Sequence, residues 1–388
     1  FLDANMADGL RKCLADEFSS LYVFHLRGNQ RTSGELSRKE GGKIFGSGSR
    51  APIAITLFVK NPAALQKGQI FWHDIGDYLT QAEKLERISA FKSVEGISST
   101  GGWVSITPDA YGDWIKQRDD SFGEFISLGD KKDKTSKVLF ENFSLGVSTN
   151  RDAWCYNDSK VQVTQNIKRM IDFYNNEVLR YQRVTEQLPK SQWPTIDDFV
   201  TTDPTRISWT RGLKQELAKE RQLTFESSCL TPSLYRPFNK QWLYFNRRLN
   251  EMVLQMPRIF PNSMTKNRVI CVSGVGAKSG FSALMVDTVQ SLDCIEKGRC
   301  FPLYLYEITD NTVDTKNTHA PSLFGEAVFF EETLQERNTP KRRDAITDEG
   351  LKDFLAAYPG EVISKEDLFY YIYGLLHSPT YRERYADN

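Results

Sequence analysis

Apolar and polar positions follow helical and strand-like rhythms along different stretches of the chain. Near the start, Met6, Leu10, Cys13 and Leu14 recur at helical spacing. They predict a helix that Asp3 or Asn5 caps and that runs to about Phe18. Leu21 to Leu26 is an apolar run of strand length, and Pro52 to Lys60 is a second one rich in β-branched residues. Between them, residues 27 to 50 are crowded with Gly, Ser, Arg and Lys and read as a loop. Asn61-Pro62 marks a boundary. A helix followed by strands at this spacing suits the last units of an α/β sheet.

Beyond that boundary the pattern is mixed. Phe71 to Tyr78 suits a strand or turn, Gln81 to Phe91 a short helix, and Ser98 to Gly102 a loop. A basic turn, Lys131 to Lys137, precedes an expected strand from Val138 to Leu145. Ile167, Met170, Ile171, Tyr174, Val178 and Tyr181 fall on one helical face and predict a long helix over about 161 to 188. A second helix is expected from about Arg211 to Gln222, with β-like pieces at Gln241 to Phe245 and Val269 to Ser273. Near the C-terminus Ser364 and Asp367 have the spacing of a capping box, with Ile363 and Leu368 as its staple. The fold class expected is therefore mixed α/β with a helical C-terminal region.

Composition narrows the reading. The chain has 388 residues, enough for two or three domains, and 40% of them are hydrophobic, enough for a sizeable core. The longest apolar run, Ala51 to Val59, is far shorter than a membrane span, and no N-terminal stretch has the form of a signal peptide. Six cysteines form no CxxC pair, which favours a reducing, cytoplasmic location over a disulfide scaffold.

Fifty bases balance fifty acids, and zero net charge argues against a nucleic-acid partner only if the charge is evenly spread. It is not. Residues 27 to 60 hold seven bases and two acids, and residues 205 to 270 hold twelve bases and four acids. Residues 301 to 388 hold nine bases and sixteen acids. Such segregation suits a polyanion-binding face, or simply solvated surfaces of differing sign.

Catalytic signatures are scarce. The four histidines are scattered singly, with no ligand partner at i+3 or i+4, so no metal site is expected. His25, inside an apolar strand, reads as a core or edge residue. Ser273 to Gly280 resembles a phosphate loop, but Ala277 rather than Gly precedes Lys278, and a Gly-rich turn is the better reading. Neither a Gly-x-Ser-x-Gly elbow nor a paired-carboxylate signature stands out. The most informative stretch is strand, basic glycine-rich loop, strand, with Phe45 where the loop returns to the sheet. Bases there can line a phosphate backbone, glycines let it approach, and an exposed aromatic can stack on a base; alternatively Phe45 plugs the core of a long hairpin.

That stretch, Phe24 to Lys60, resembles the closing part of a gamma-class N6-adenine DNA methyltransferase domain, and more narrowly the type ISP single-polypeptide restriction-modification enzymes. The likeness continues through Phe71-Trp-His-Asp-Ile-Gly-Asp77, Phe140 to Trp154, Leu234-Tyr-Arg-Pro-Phe-Asn-Lys-Gln241, Ser273 to Phe281 and Glu366 to His377. The resemblance implies a parent that joins nuclease, helicase, methyltransferase and target-recognition domains. It implies S-adenosylmethionine, ATP and Mg as the parent's cofactors and none for these residues. The class carries a cofactor motif and an Asn/Asp-Pro-Pro-Tyr/Phe catalytic motif, and this sequence holds neither, since Asn61-Pro62 is followed by Ala63-Ala64.

On this reading residues 1–62 end a Rossmann-like methyltransferase sheet. Residues 63–310 form an α+β target-recognition domain, and 311–388 a helical C-terminal segment. The partners expected are double-stranded DNA and upstream domains of the same polypeptide, with no membrane. Phe45 matches the aromatic that stacks on the flipped adenine in the class. No residue here is assigned a catalytic role. The candidate DNA contacts are Arg27, Arg31, Arg38, Lys39, Lys43 and Arg50 in the first basic segment, and Lys132, Lys134, Asn150 and Arg151 in the middle. Arg206, Arg211, Arg236, Lys240, Arg247, Arg248 and Lys278 complete the set. The rival expectation is a stand-alone, non-catalytic nucleic-acid-binding module; a nucleotide-dependent enzyme built on Gly274 to Gly280 is a third.

Overall fold

The first helix forms where the periodicity places it but turns a different side to the protein. In the computed structural model, which describes residues 1–46, 49–274, 277, 280–307 and 340–388, α1 spans Asp8–Glu17. It follows a short 3-10 turn at Asn5–Ala7, and its N-cap is Ala7, without a side-chain cap, rather than Asp3 or Asn5. Met6 (92%) and Leu10 are exposed, whereas Arg11 is 1% exposed. The guanidinium explains the inversion. Its Nε donates to the Gly112 carbonyl at 2.9 Å, and its Nη1 donates to the carbonyls of Phe1 and Ala4 at 2.7 and 2.8 Å. Nη2 is paired with Asp113. A buried charge satisfied on every side holds a helix face against the fold as an apolar stripe would.

The chain divides into two units, Phe1–Phe125 with Pro379–Asn388, and Ile126–Ser378. In the first, β1 (Ser20–Arg27) is followed by α2 (Gly34–Glu40), β2 (Ile53–Val59), β3 (Gln69–Asp74), α3 (Gln81–Phe91), α4 (Val94–Ser99) and β4 (Val104–Ile106). The strands form one sheet in the order β2-β1-β3-β4, so the sheet continues past residue 62. β1 runs parallel to β3 and antiparallel to β2, and β4 is antiparallel to β3. Strand period two sorts the side chains of β1. Leu21 and Val23 pack with Ile70, Trp114, Leu14 and Phe18 on one face. Phe24 and Leu26 pack with Ile75, Ile97, Ile88 and Phe91 on the other. Helices thus cover both faces of a mixed sheet.

In the second unit the elements in order are β5 (Ser144–Leu145), α5 (Asp152–Cys155), β6 (Tyr156–Asn157), α6 (Lys160–Glu186), α7 (Ile196–Phe199) and α8 (Arg211–Ala218). Then come β7 (Leu230–Arg236), β8 (Asn239–Tyr244), α9 (Met256–Ile259), β9 (Val269–Val272), β10 (Ala283–Val286), β11 (Val289–Gln290) and β12 (Arg299–Pro302). Finally β13 (Tyr304–Tyr306), β14 (Arg342–Asp344), α10 (Asp348–Ala357) and α11 (Lys365–His377) close the unit. The strands form small sheets ordered β11-β7-β8-β6, β10-β9-β12-β5 and β13-β14. The long helix α6 buries Ile167, Met170, Ile171, Tyr174, Val178 and Tyr181, the stripe its periodicity predicts, and Val163 one turn before it. The strand expected over 138–145 is reduced to β5 and single bridges at Val138 and Phe140. The capping box of α11 forms with both of its hydrogen bonds.

The last helix, α12 (Pro379–Arg384), belongs to the first unit. Arg384 Nε donates to Asp119 at 2.7 Å, and Tyr385 packs its ring on Phe122 and Phe125.

Candidate nucleic-acid interface

The first basic segment is anchored at its base and open at its tip. Lys84, fully buried, donates from Nζ to the carbonyls of Leu26 at 2.9 Å and Glu40 at 2.7 Å, tying the end of β1 to the end of α2. Burial pushes its pKa down. Gly41 and Gly42 lie against the 79–81 backbone, where a Cβ on Gly41 would sit 2.2 Å from the Leu79 carbonyl oxygen. These glycines therefore admit the segment that leads into α3, a packing use that the expected phosphate approach did not include. At the tip, Ile44 joins the core beside Ile88 and Phe91, while Phe45 stands 58% exposed. The residue that plugs the core is Ile44.

The bases of this segment differ in what they already hold. Arg27 Nε donates to Asp74 at 2.7 Å and its Nη1 to Asp77 at 2.5 Å, so this candidate is committed to an intramolecular network. Burial opposes the Asp74 carboxylate, but His25, Arg27 and the Gly76 amide together hold its pKa well below the usual range. Arg38 pairs with Glu35 at 2.9 Å, and Arg50 donates to the Gln30 carbonyl at 2.7 Å. Arg31 and Lys39 are exposed and Lys43 half-buried.

In the second unit, Asp130 and Asp133 accept backbone N–H bonds that shape the turn carrying the exposed Lys132 and Lys134. Asn150 is exposed at positive φ, 52°. Its neighbour Arg151 is a different case. At 4% exposure its Nη2 donates to Thr210 Oγ1 at 2.6 Å, and Nε and Nη1 have no hydrogen-bond partner. Burial lowers its pKa. This guanidinium sits inside the unit beside the N-cap of α8, away from the surface a phosphate would meet. Arg211 is exposed on α8, Arg206 pairs with Asp203 at 3.4 Å, and Arg248 lies 3.6 Å from Glu216. Arg247 is exposed beside a cleft of about 270 Å³ formed with Gln222, Thr224 and Asn246.

The clearest grouping is at the β7–β8 hairpin. Arg236 pairs with Asn239, leaving Pro237 and Phe238 as a two-residue turn. The Arg236 guanidinium stacks over Tyr235, 4.1 Å from the ring centre, and donates to the Tyr235 carbonyl at 2.8 Å. Lys240 pairs with Asp287 at 3.0 Å. Phe238, Lys240 and Arg268 edge an open cleft of about 680 Å³ whose apolar side is Leu234, Leu284 and Met285. Phe238 and Arg268 were not singled out by sequence reasoning. The available signal was a bulky residue at the second position of a Pro-initiated turn.

The glycine-rich segment after β9 is only partly described, and Lys278 lies outside the described residues. Gly274 donates its amide to the Glu296 carbonyl at 3.1 Å, and a Cβ there would meet the Lys297 carbonyl oxygen at 2.2 Å. This glycine serves a chain–chain contact. Among the described residues no cluster of three His, Cys, Asp or Glu is placed to hold a metal ion, and no helix is long and apolar enough to cross a membrane.

A family model described as the Type ISP C-terminal specificity domain matches residues 138–388. Among solved structures, the chain is similar to a nuclease-deletion mutant of the Type ISP restriction-modification enzyme LlaGI in complex with a DNA substrate mimic. The identity is 38% and the TM-score 0.67, over 100% of this chain and 31% of that one. It is also similar to the ATP-dependent Type ISP enzyme LlaBIII bound to DNA, at 31% identity and TM-score 0.68, over 100% of this chain and 22% of that one. A DrdV–DNA complex matches at 31% identity and TM-score 0.69, over 100% of this chain and 34% of that one. The chain thus spans about a third or less of each of these relatives. No curated protein matches it.

Proposed function

Because the chain belongs to the Type ISP family, through its C-terminal specificity domain, we propose that it recognises a double-stranded DNA sequence on behalf of a restriction-modification enzyme. The observation that carries this reading is that three relatives in DNA complexes align over the whole of the chain. Phosphate contacts would come from bases that are exposed and lack an internal acidic partner, chiefly Arg31, Lys39, Lys132, Lys134, Arg211 and Arg247. Arg27 would act by holding the fold, and Arg151, buried within its unit, would not reach the duplex.

We assign the first unit to the end of a Rossmann-like methyltransferase sheet. β2 is the edge strand of its sheet and exposes Ile55 and Leu57, which supports a sheet continued by strands elsewhere in a longer polypeptide. In that polypeptide S-adenosylmethionine would donate a methyl group to adenine N6, and ATP and Mg would serve helicase-driven cleavage. Phe45, exposed at the tip of its loop, would stack on the flipped adenine and offset part of the few kcal/mol that extrusion costs.

The test is a selection from a randomised duplex library with the 388-residue chain, followed by a salt titration of the enriched duplex. The reading expects one enriched sequence and an affinity that falls steeply and linearly on a log–log plot. No enrichment, or salt-independent binding, refutes it. Methyl transfer from S-adenosylmethionine to the duplex by these residues alone would refute the assignment of catalysis to the longer polypeptide.

A further inference from the structure

Phe238 occupies a position that folding does not explain. It is the second residue of the two-residue turn between β7 and β8, at φ +64°, a backbone region that glycine or asparagine fills without cost and a bulky side chain does not. Pro237 before it cannot supply a backbone N–H. The ring recovers nothing by packing, since it is 90% exposed. A strained aromatic held out at a hairpin tip points to a use outside the unit. Its surroundings describe the ligand. One side of the adjoining cleft is apolar, through Leu284 and Met285, while Lys240 and Arg268 bring positive charge to it, and a single acid, Asp287, is engaged with Lys240. An apolar surface edged by cations is complementary to a nucleotide, a flat ring joined to an anionic phosphate.

We infer that Phe238 stacks on a base of the bound duplex, unstacking it from its neighbour, while Arg268 meets a flanking phosphate. The inference rests on the DNA-recognition reading and adds to it a residue and a mode of contact. Apolar wedges at base steps deform the duplex, so part of the sequence preference would come from how easily the step opens.

The experiment uses the 388-residue chain and the duplex it enriches from a random library, with 2-aminopurine placed at successive positions. The expected result is a fluorescence rise at one step on binding by the unsubstituted chain and its loss with Phe238→Ala. Affinity should fall roughly 5- to 150-fold, the range for removing an aromatic–base stack. The salt slope should stay unchanged, because no phosphate contact is lost. Arg268→Ala should do the reverse, lowering the slope by about one with the 2-aminopurine signal retained. Phe238→Asn and Phe238→Gly suit the positive φ and keep the test valid if the alanine variant folds poorly; both should melt no lower than the parent and bind as weakly as Phe238→Ala. Wild-type affinity in these variants overturns the inference and leaves DNA recognition standing. An affinity loss with no 2-aminopurine change at any position also overturns it, because the ring would then pack on protein. Failure of the unsubstituted chain to enrich any duplex refutes the DNA reading itself.

Discussion

Replacing Arg11 by methionine keeps the apolar stem of the buried side chain and removes the guanidinium with its five donors, so the loss measured is chiefly that of its polar contacts, with a small cavity added where the guanidinium stood. Three carbonyls, those of Phe1, Ala4 and Gly112, would lose a charge-assisted hydrogen bond, and Asp113 would keep only Arg118, whose Nε lies 2.6 Å away. Arg11 and Asp113 are both almost fully buried, so water does not replace the lost partner. Breaking a buried pair of this kind costs about 3–5 kcal/mol. That is a large share of the roughly 5–15 kcal/mol that stabilises a domain. The cost falls on the first unit, and hydrogen exchange resolved along the chain is the appropriate assay. Amides of β1, at the centre of that unit's sheet, should exchange about a hundred- to several-thousand-fold faster, at tenfold per 1.4 kcal/mol. Amides of α6, in the second unit, should be unaffected. Combining Arg11→Met with Asp113→Asn should show a coupling above about 1 kcal/mol, as expected for groups in contact. An Arg11→Met variant whose β1 protection is within tenfold of the parent would refute the assignment of Arg11 as the polar anchor of this unit.

Gly41→Ala should destabilise the basic loop by roughly 2 kcal/mol or more, because it combines positive φ with a Cβ driven into the Leu79 carbonyl. Faster exchange of the Gly42 amide, which bonds to that carbonyl at 2.8 Å, is the direct measurement. Arg151→Met should leave the melting temperature unchanged or raise it, since it removes a buried cation with two unpartnered N–H groups. A loss above about 2 kcal/mol would show that Thr210 and the surrounding field satisfy this group after all. Asp74 has a depressed pKa in the folded protein, so its contribution is fully present above the ordinary aspartate value of 3.8 and is lost as pH falls below it. The stability difference between the parent and Asp74→Asn should therefore shrink progressively in acid below about pH 4; a difference constant down to pH 2 would contradict the His25–Asp74–Arg27 network.

Elements governed by neighbours within a few residues were readable from the chain alone. The stripe of α6 from Ile167 to Tyr181 needs only helical periodicity, and the start of α11 needs only Ser364 and Asp367 three residues apart. The α/β character, the uneven charge and the family resemblance likewise lie in residue order. Decisions between competing side chains did not. Arg11 displaced Leu10 from the protein-facing side of α1, and left Met6 exposed in the turn before it, because its partners at Gly112 and Asp113 arrive from a hundred residues away. Ile44 rather than Phe45 entered the core because α3 brings Ile88 and Phe91 to that spot.

The same holds for the candidate interface. Counting bases selected Arg151 and Arg27 alongside Arg247, and only burial and ion pairing separate guanidiniums turned inward or already paired from those left for a ligand. Phe238 carries no charge and stood out only once the β7–β8 register made it the tip of a turn. Composition supplies the groups that can bind a polyanion. Which of them face solvent without a partner depends on long-range packing, where desolvation and hydrogen-bond satisfaction are settled.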